Sequence, residues 1–237
     1  MQRIIVATLL GWACLGFAHA NERIALEHLT IDIHDNAALT RGAKIFVNYC
    51  TGCHAATAMR YARIARDLGL SEDAMYKGGY LYATHKLGDP MNVALLHKDA
   101  TNWLGVAPPD LSTIARYRGT DWLYTYLRAF YSDPARATGV NNRVFKDVAM
   151  PNVLWELQGI QTLNPDDHGG KLTLTRPGRL SQEGFDHTVS DLVHFLAYMG
   201  EPAQLERARI APWVLGYLAL LLVVLYLLKK EYWKDVR

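Results

Sequence analysis

Between two hydrophobic ends, apolar residues recur at helical spacing in four stretches of the chain. In "ALTRGAKIFVNYC", Leu39, Ala43, Phe46, Val47 and Cys50 fall on one face, which predicts an amphipathic helix. "LSTIARYRG" predicts a second helix, with Asp110 or Ser112 as N-cap and Gly119 at its end. "TDWLYTYLRAFYSDP" opens on a Thr-Asp cap and stops before Pro134, with Trp122, Leu123, Tyr126, Leu127 and Phe130 as its stripe. "TVSDLVHFLAYMGEP" carries Val189, Leu192, Val193 and Leu196 on one side and is broken by Gly200 and Pro202. Only "KLTLTRPGRL" alternates as a hairpin would, with Pro177-Gly178 near its turn. The expected fold is mainly α, with long loops and one small β-hairpin. Loops of that length need something to organise them, and a large apolar prosthetic group would supply the surface.

The two ends read differently from each other. "MQRIIVATLLGWACLGFAHA" has a charged start, an apolar run and the small-residue ending Ala18-His19-Ala20, the pattern of a secretory signal peptide cleaved after Ala20. An uncleaved anchor is the alternative. Near the other end, Trp213 to Leu228 is free of charge, and at 1.5 Å per helical residue it falls only slightly short of the roughly 30 Å hydrocarbon core. Lys229 and Lys230 can snorkel at one edge, while Trp213, Tyr226, Tyr232 and Trp233 sit where interfacial aromatics belong. The expected organisation is a signal peptide over 1–20, an exported domain over 21–205, a transmembrane helix over 206–229 and a cytoplasmic tail over 230–237. The export signal and the basic tail agree on that orientation.

Charge adds an exclusion. The chain of 237 residues has 25 Lys and Arg against 23 Asp and Glu. Without Arg3 and the charges of the last nine residues, 20 basic and 21 acidic residues remain. A near-neutral middle lacks the concentrated basic surface that nucleic-acid binding uses.

Cysteine usage then narrows the chemistry. If Cys14 leaves with the signal, the exported protein keeps only Cys50 and Cys53 of the three cysteines. A disulfide or a redox dithiol accounts for that pair but not for His54 immediately after it. A zinc site needs four ligands and would have to recruit distant histidines. C-x-x-C-H is the attachment motif of c-type haem: both thiols become thioethers and the histidine is placed as one axial ligand of the iron. The other axial ligand is open. Met59 is poorly placed, five residues past His54, and Met75 lies in a connecting region. Met91 follows Pro90 and Met199 reads as core. Met150, in "VFKDVAMPNVLW", follows a loop and precedes a proline, and Met91 is its nearest competitor. His85, His97 and His168 read as solvated loop residues.

Four stretches in order, "CTGCH", "APPDLSTIARYR", "VAMPNVLWELQG" and "FLAYMGEP" continuing to "KKEYWKDV", resemble the cytochrome c1 family, the haem subunits of cytochrome bc1 complexes. The resemblance runs from "TRGAKIFVNYCTGCH" to the end and is nearest to the bacterial form. It implies a class I-like cytochrome c domain with one covalently bound haem c, linked at Cys50 and Cys53 with axial ligands His54 and Met150. It also implies that Pro108 and Pro109 edge the haem pocket and that Arg118 stands near a propionate. A solvated helix-end arginine is the alternative for Arg118, as plain core is for Trp122. Nothing is assigned in "GGYLYATHKLGDPMN". The implied activity is one-electron transfer from the Rieske iron–sulfur protein to a soluble cytochrome c, beside cytochrome b in a dimeric complex held by membrane lipid. The haem domain would lie in the periplasm, on the bacterial inner membrane. No general acid, base or nucleophile is required. A membrane-anchored monohaem cytochrome of another oxidase or reductase is the competing assignment.

Overall fold

The computed structural model describes residues 24–81, 86–93, 95–164 and 170–235. The signal-peptide expectation over 1–20, with Cys14, lies outside them, as do His85 and His168.

Helix α1 (Asn36–Tyr49) begins where the Asp35 side chain accepts the Ala38 N–H. Its buried face is Ala38, Leu39, Gly42, Ala43, Phe46 and Val47, which takes in four of the five expected stripe residues, with Cys50 half-buried. It packs on α8 (Gln182–Gly200), whose N-cap Ser181 accepts the Gly184 N–H and which buries Phe185, Val189, Leu192, Val193, Phe195 and Leu196. The two helices approach most closely at Gly42, where a Cβ would overlap the Asp191 carbonyl oxygen and lie 2.7 Å from the Phe195 Cβ. Alongside, Arg41 forks onto the buried Asp191 carboxylate through Nε (2.7 Å) and Nη2 (2.8 Å).

Around this pair lie β1 (Ala56–Arg60), α2 (Tyr61–Leu68), α3 (Glu72–Lys77), β2 (Pro90–Met91) and α4 (His97–Leu104). Then follow α5 (Ile114–Arg118), α6 (Thr120–Arg128), β3 (Phe130–Ser132), β4 (Val140–Asn142), α7 (Trp155–Gln158), β5 (Gly159–Leu163) and β6 (Leu172–Pro177). The mainly α expectation holds. The strands form three two-stranded antiparallel pairs, β1 with β2, β3 with β4 and β5 with β6.

Three local expectations change. "KLTLTRPGRL" is not a hairpin by itself: Leu172–Pro177 pairs with Gly159–Leu163, so Pro177 faces Gly159 at the far end of the ladder from the turn. Gly159 (φ +96) has no room for a Cβ against the Arg176 carbonyl. Helix α5 starts at Ile114, with neither Asp110 nor Ser112 as its N-cap. Helix α6 starts after Gly119 and stops at Arg128, because Phe130 to Ser132 turn into a strand paired with Val140 to Asn142.

After α8 the chain turns at Glu201 and Pro202 and enters α9 (Gln204–Tyr232), which is apolar, 29 residues long and unburied. By length and composition it is the one membrane-crossing candidate among the described residues. The junction is tied down. Arg63 donates to the Pro202 carbonyl (3.3 Å) and pairs with Asp67, which also accepts the Tyr198 hydroxyl (2.8 Å). Glu201 pairs with Arg116 (3.5 Å) and with Arg207.

Candidate functional site

The motif residues leave the end of α1 in one tight turn. The Cys50 carbonyl accepts the N–H groups of Cys53 (3.0 Å) and His54 (2.9 Å), and the buried Thr51 hydroxyl ties back to the Val47 carbonyl (2.6 Å). This winding brings both thiols and the imidazole to one end of the helix. Cys50 and Cys53 are not joined to each other, and Cys53 is exposed while Cys50 is half-buried. Burial, and to a lesser degree the neighbouring Cys53, pushes the Cys50 thiol up to about 12. Among the described residues, no three His, Cys, Asp or Glu side chains converge as a metal cluster would require.

The His54 ring is oriented from outside its own segment. Its Nδ1 lies 2.8 Å from the Pro109 carbonyl oxygen. A carbonyl only accepts, so this nitrogen carries a proton, and in the neutral ring Nε2 keeps its lone pair. Burial holds the imidazole below its ordinary range, although the Pro109 bond and the charge of Asp110 pull upward. A neutral ring with one nitrogen anchored to a backbone carbonyl is the form that ligates a metal.

The "PPDLS" segment is stitched to the motif by a second set of bonds. Leu111 N–H donates to the Ala55 carbonyl (2.8 Å), and Ala58 N–H donates to the Ser112 hydroxyl (3.1 Å). Asp110 accepts from the Thr57 N–H (2.9 Å) and hydroxyl (2.8 Å), and from the Ser112 N–H (2.7 Å). Burial opposes its charge, yet these bonds prevail and hold the carboxyl below its ordinary range. A depressed carboxylate contributes stability above its unfolded value of about 3.9 and loses it as pH falls through the folded value. Asp110→Asn is therefore expected to lower stability at neutral pH and to flatten the decline below pH ~4. Urea unfolding across that range checks both signs.

Met150 belongs to a different part of the site. Its Sδ accepts the Tyr126 hydroxyl at 3.3 Å. Tyr126 is buried; its ring stacks on Trp122 (4.6 Å, 11° between planes) and meets the edge of Phe130 (5.2 Å). The Arg118 guanidinium lies over Trp122 (4.8 Å) and near Phe145 (5.5 Å), while remaining exposed. Pro109 is also exposed. The other methionines separate cleanly from Met150. Met59, Met75, Met91 and Met199 are all buried in the core, Met91 fully, in the strand paired with Ala56. Met150 alone among the described methionines is partly exposed, at the edge of that core.

Tyr126 was legible only as a core-stripe residue; nothing in its spacing announces a bond to sulfur. Asn141 and Asn142, which end β4, also carry no sequence reading, although an Asn-Asn pair before an irregular segment is a turn signal.

A protein-family model for the Cytochrome C1 family matches residues 27–236. The chain belongs to the cytochrome C1 family. It is 46% identical to cytochrome c1 of Allochromatium vinosum over the full length of both chains. It is equally similar, at 46% over 99% of this chain and all of the other, to a Nitrosomonas europaea protein named ammonia monooxygenase gamma subunit. Cytochrome c1 of Blastochloris viridis is 25% identical over 86% of this chain and 83% of its own. A chain of a solved hyperthermophilic respiratory Complex III aligns over 99% of this one at 17% identity and a TM-score of 0.38, a likeness too slight to carry an argument. Membership in the cytochrome C1 family implies a haem cofactor, and the long apolar α9 fits a single-pass membrane anchor.

Proposed function

We propose that this chain holds one haem c through thioethers at Cys50 and Cys53, with His54 and Met150 as axial ligands. The chain is the electron-transfer subunit of a cytochrome bc1 complex. In the finer reading it takes an electron from a Rieske iron–sulfur protein and passes it to a soluble cytochrome c, beside cytochrome b in a dimeric assembly. The haem supplies a one-electron couple, and the protein tunes it through axial ligation, burial and hydrogen bonding. The observation that carries the His54 assignment is the ring's Nδ1 tied to the Pro109 carbonyl, which leaves the Nε2 lone pair for the iron.

The chain's residues have distinct parts in this. Cys50 and Cys53 fasten the group and fix its position against α1. The Pro109 carbonyl sets the plane of the His54 ring and raises its basicity as a ligand. The Met150 thioether favours the reduced state, and the Tyr126 hydroxyl draws electron density from that sulfur. Arg118 offers a cation for a propionate. Pro109 edges the pocket.

A pyridine haemochrome assay and the mass of the processed chain test covalent attachment. Isolation from membranes tests the assembly: a b-type cytochrome and a Rieske protein should accompany the chain. Recovery instead with monooxygenase subunits, as the name of the Nitrosomonas europaea relative implies for that protein, would overturn it.

Two further results are expected. Tyr126→Phe keeps haem and sulfur ligation but lowers the midpoint potential modestly, by up to about 59 mV, a tenfold change in the one-electron equilibrium. Redox titration measures it. Cutting the chain before Trp213 releases a soluble domain that retains haem, because Trp213 to Leu228 lies along the unburied α9. Fractionation with a haem stain checks this. The placement of that domain in the periplasm and of the tail in the cytoplasm is part of the proposal and is tested by protease access in spheroplasts.

A further inference from the structure

The loop that delivers Met150 is organised by two buried amides that the electron-transfer reading leaves unused. Asn141 and Asn142, at the end of β4, are 3% and 1% exposed. Asn142 Oδ1 accepts the N–H groups of Val144 (2.8 Å) and Phe145 (3.1 Å), and its Nδ2 donates to the Tyr126 carbonyl (2.8 Å). Only this orientation of the amide sets an acceptor against two N–H groups and a donor against a carbonyl. Asn141 Oδ1 accepts from the N–H groups of Asn142 and Asp147, both at 2.8 Å, and its Nδ2 donates to Asp133 (2.9 Å). Asp147, three residues before Met150, has φ +63, a conformation uncommon outside glycine. Arg136 holds it from outside, through the Asp147 carbonyl (3.0 Å) and carboxylate (3.0 Å).

These bonds converge on one sulfur. Asn142 joins the helix that bears Tyr126 to the loop that ends in Met150, and Tyr126 reaches that sulfur through its hydroxyl. We propose that Asn142 is a positioning residue for the axial sulfur, keeping the 143–150 loop closed on helix α6 so that Met150 stays on the iron. The inference rests on Met150 as the axial ligand. A thioether is a soft donor and grips the harder ferric iron weakly. Closure of the loop therefore decides how often the sulfur leaves.

The test uses the full-length ferric protein in detergent, with imidazole as the probe that enters when the sulfur departs. Asn142→Ala is expected to bind imidazole at least about tenfold faster, since buried acceptor and donor bonds are lost together, and to weaken the sulfur-to-iron charge-transfer band. Gln161→Ala is the control. It removes two hydrogen bonds of the buried Gln161 side chain, to the carbonyls of Arg128 and Phe130, neither of which lies in the loop. It should lower the melting temperature and leave the imidazole rate unchanged. Should Asn142→Ala fail to fold, Asn142→Asp keeps an acceptor toward Val144 and Phe145 and, when ionised, turns the donor to Tyr126 into a repulsive carboxylate oxygen; it too should bind imidazole faster than wild type. Wild-type imidazole kinetics in a folded Asn142 variant would overturn the proposal and leave the role of Met150 standing. Imidazole binding as slow in Met150→Leu as in wild type would remove Met150 as the ligand, and both readings would fall.

Discussion

Met150→Leu is expected to keep covalent haem and lose about 100 mV or more of midpoint potential, a modest part of the roughly 0.8 V that axial ligation spans. In the proposed arrangement, attachment depends on Cys50, Cys53 and the turn that the Cys50 carbonyl winds, none of which involves residue 150. The potential depends on the sulfur, because a thioether stabilises the ferrous state relative to a weaker or harder ligand. Leucine fits the same partly buried place at the edge of the core, so the fold is little disturbed. Redox titration of the purified variant, paired with its haem content, separates the two effects. An unchanged potential would return the choice to Met91 or a histidine. Met91 would then have to leave a fully buried strand position, a large rearrangement for a core methionine.

The second large effect is on stability. Gly42→Ala places a methyl where the Asp191 carbonyl and the Phe195 side chain already stand. Alanine gains about 1 kcal/mol over glycine in a helix interior. Overpacking at a backbone contact costs about 3 kcal/mol, at the upper end of its ordinary range. The collision wins, leaving a net loss of about 2 kcal/mol, or roughly 4–8 °C in melting temperature for a domain of this size. The strain also bears on the neighbouring Arg41–Asp191 fork, whose acceptor sits on the displaced turn of α8. Thermal melts of the haem-loaded protein measure the change. A melting temperature at or above wild type would mean that the α1–α8 crossing is looser than described.

Both predictions start from features that the sequence shows unequally. The α1 and α8 stripes were legible because each is a run of apolar residues at helical spacing. Leu39, Ala43, Phe46 and Val47 of the first and Val189, Leu192, Val193 and Leu196 of the second are buried, while in α8 burial also extends around the helix to Asp191, His194 and Phe195. Gly42 sits inside that stripe, but its reason does not: it is set by a partner about 150 residues away. The pairing of Leu172–Pro177 with Gly159–Leu163 was hidden for a similar reason, since a strand's alternation does not name its partner. Helix α6 ends early because a ladder with Val140 to Asn142 competes for the backbone, and helical periodicity alone continues through Phe130. At the candidate site, Cys50, Cys53 and His54 are readable because their chemistry is local. Spacing does not separate Met150 from Met91; their surroundings differ, with Met91 in a strand at the core and Met150 beside a tyrosine hydroxyl at its margin. Asn142 acts through side-chain bonds to three backbone groups, which no pattern of apolar positions encodes.

The short, tethered junction between α8 and α9 has a kinetic implication. With Arg63 on the Pro202 carbonyl, and Glu201 held between Arg116 and Arg207, the stalk leaves the globular part without a slack leash. On the proposed reading, a head tied to its stalk by these contacts swings less freely between donor and acceptor than one on an open linker. If electrons pass as proposed, the travel between redox partners falls mainly to those partners, and turnover should respond to their mobility more than to the length of this chain's own tether.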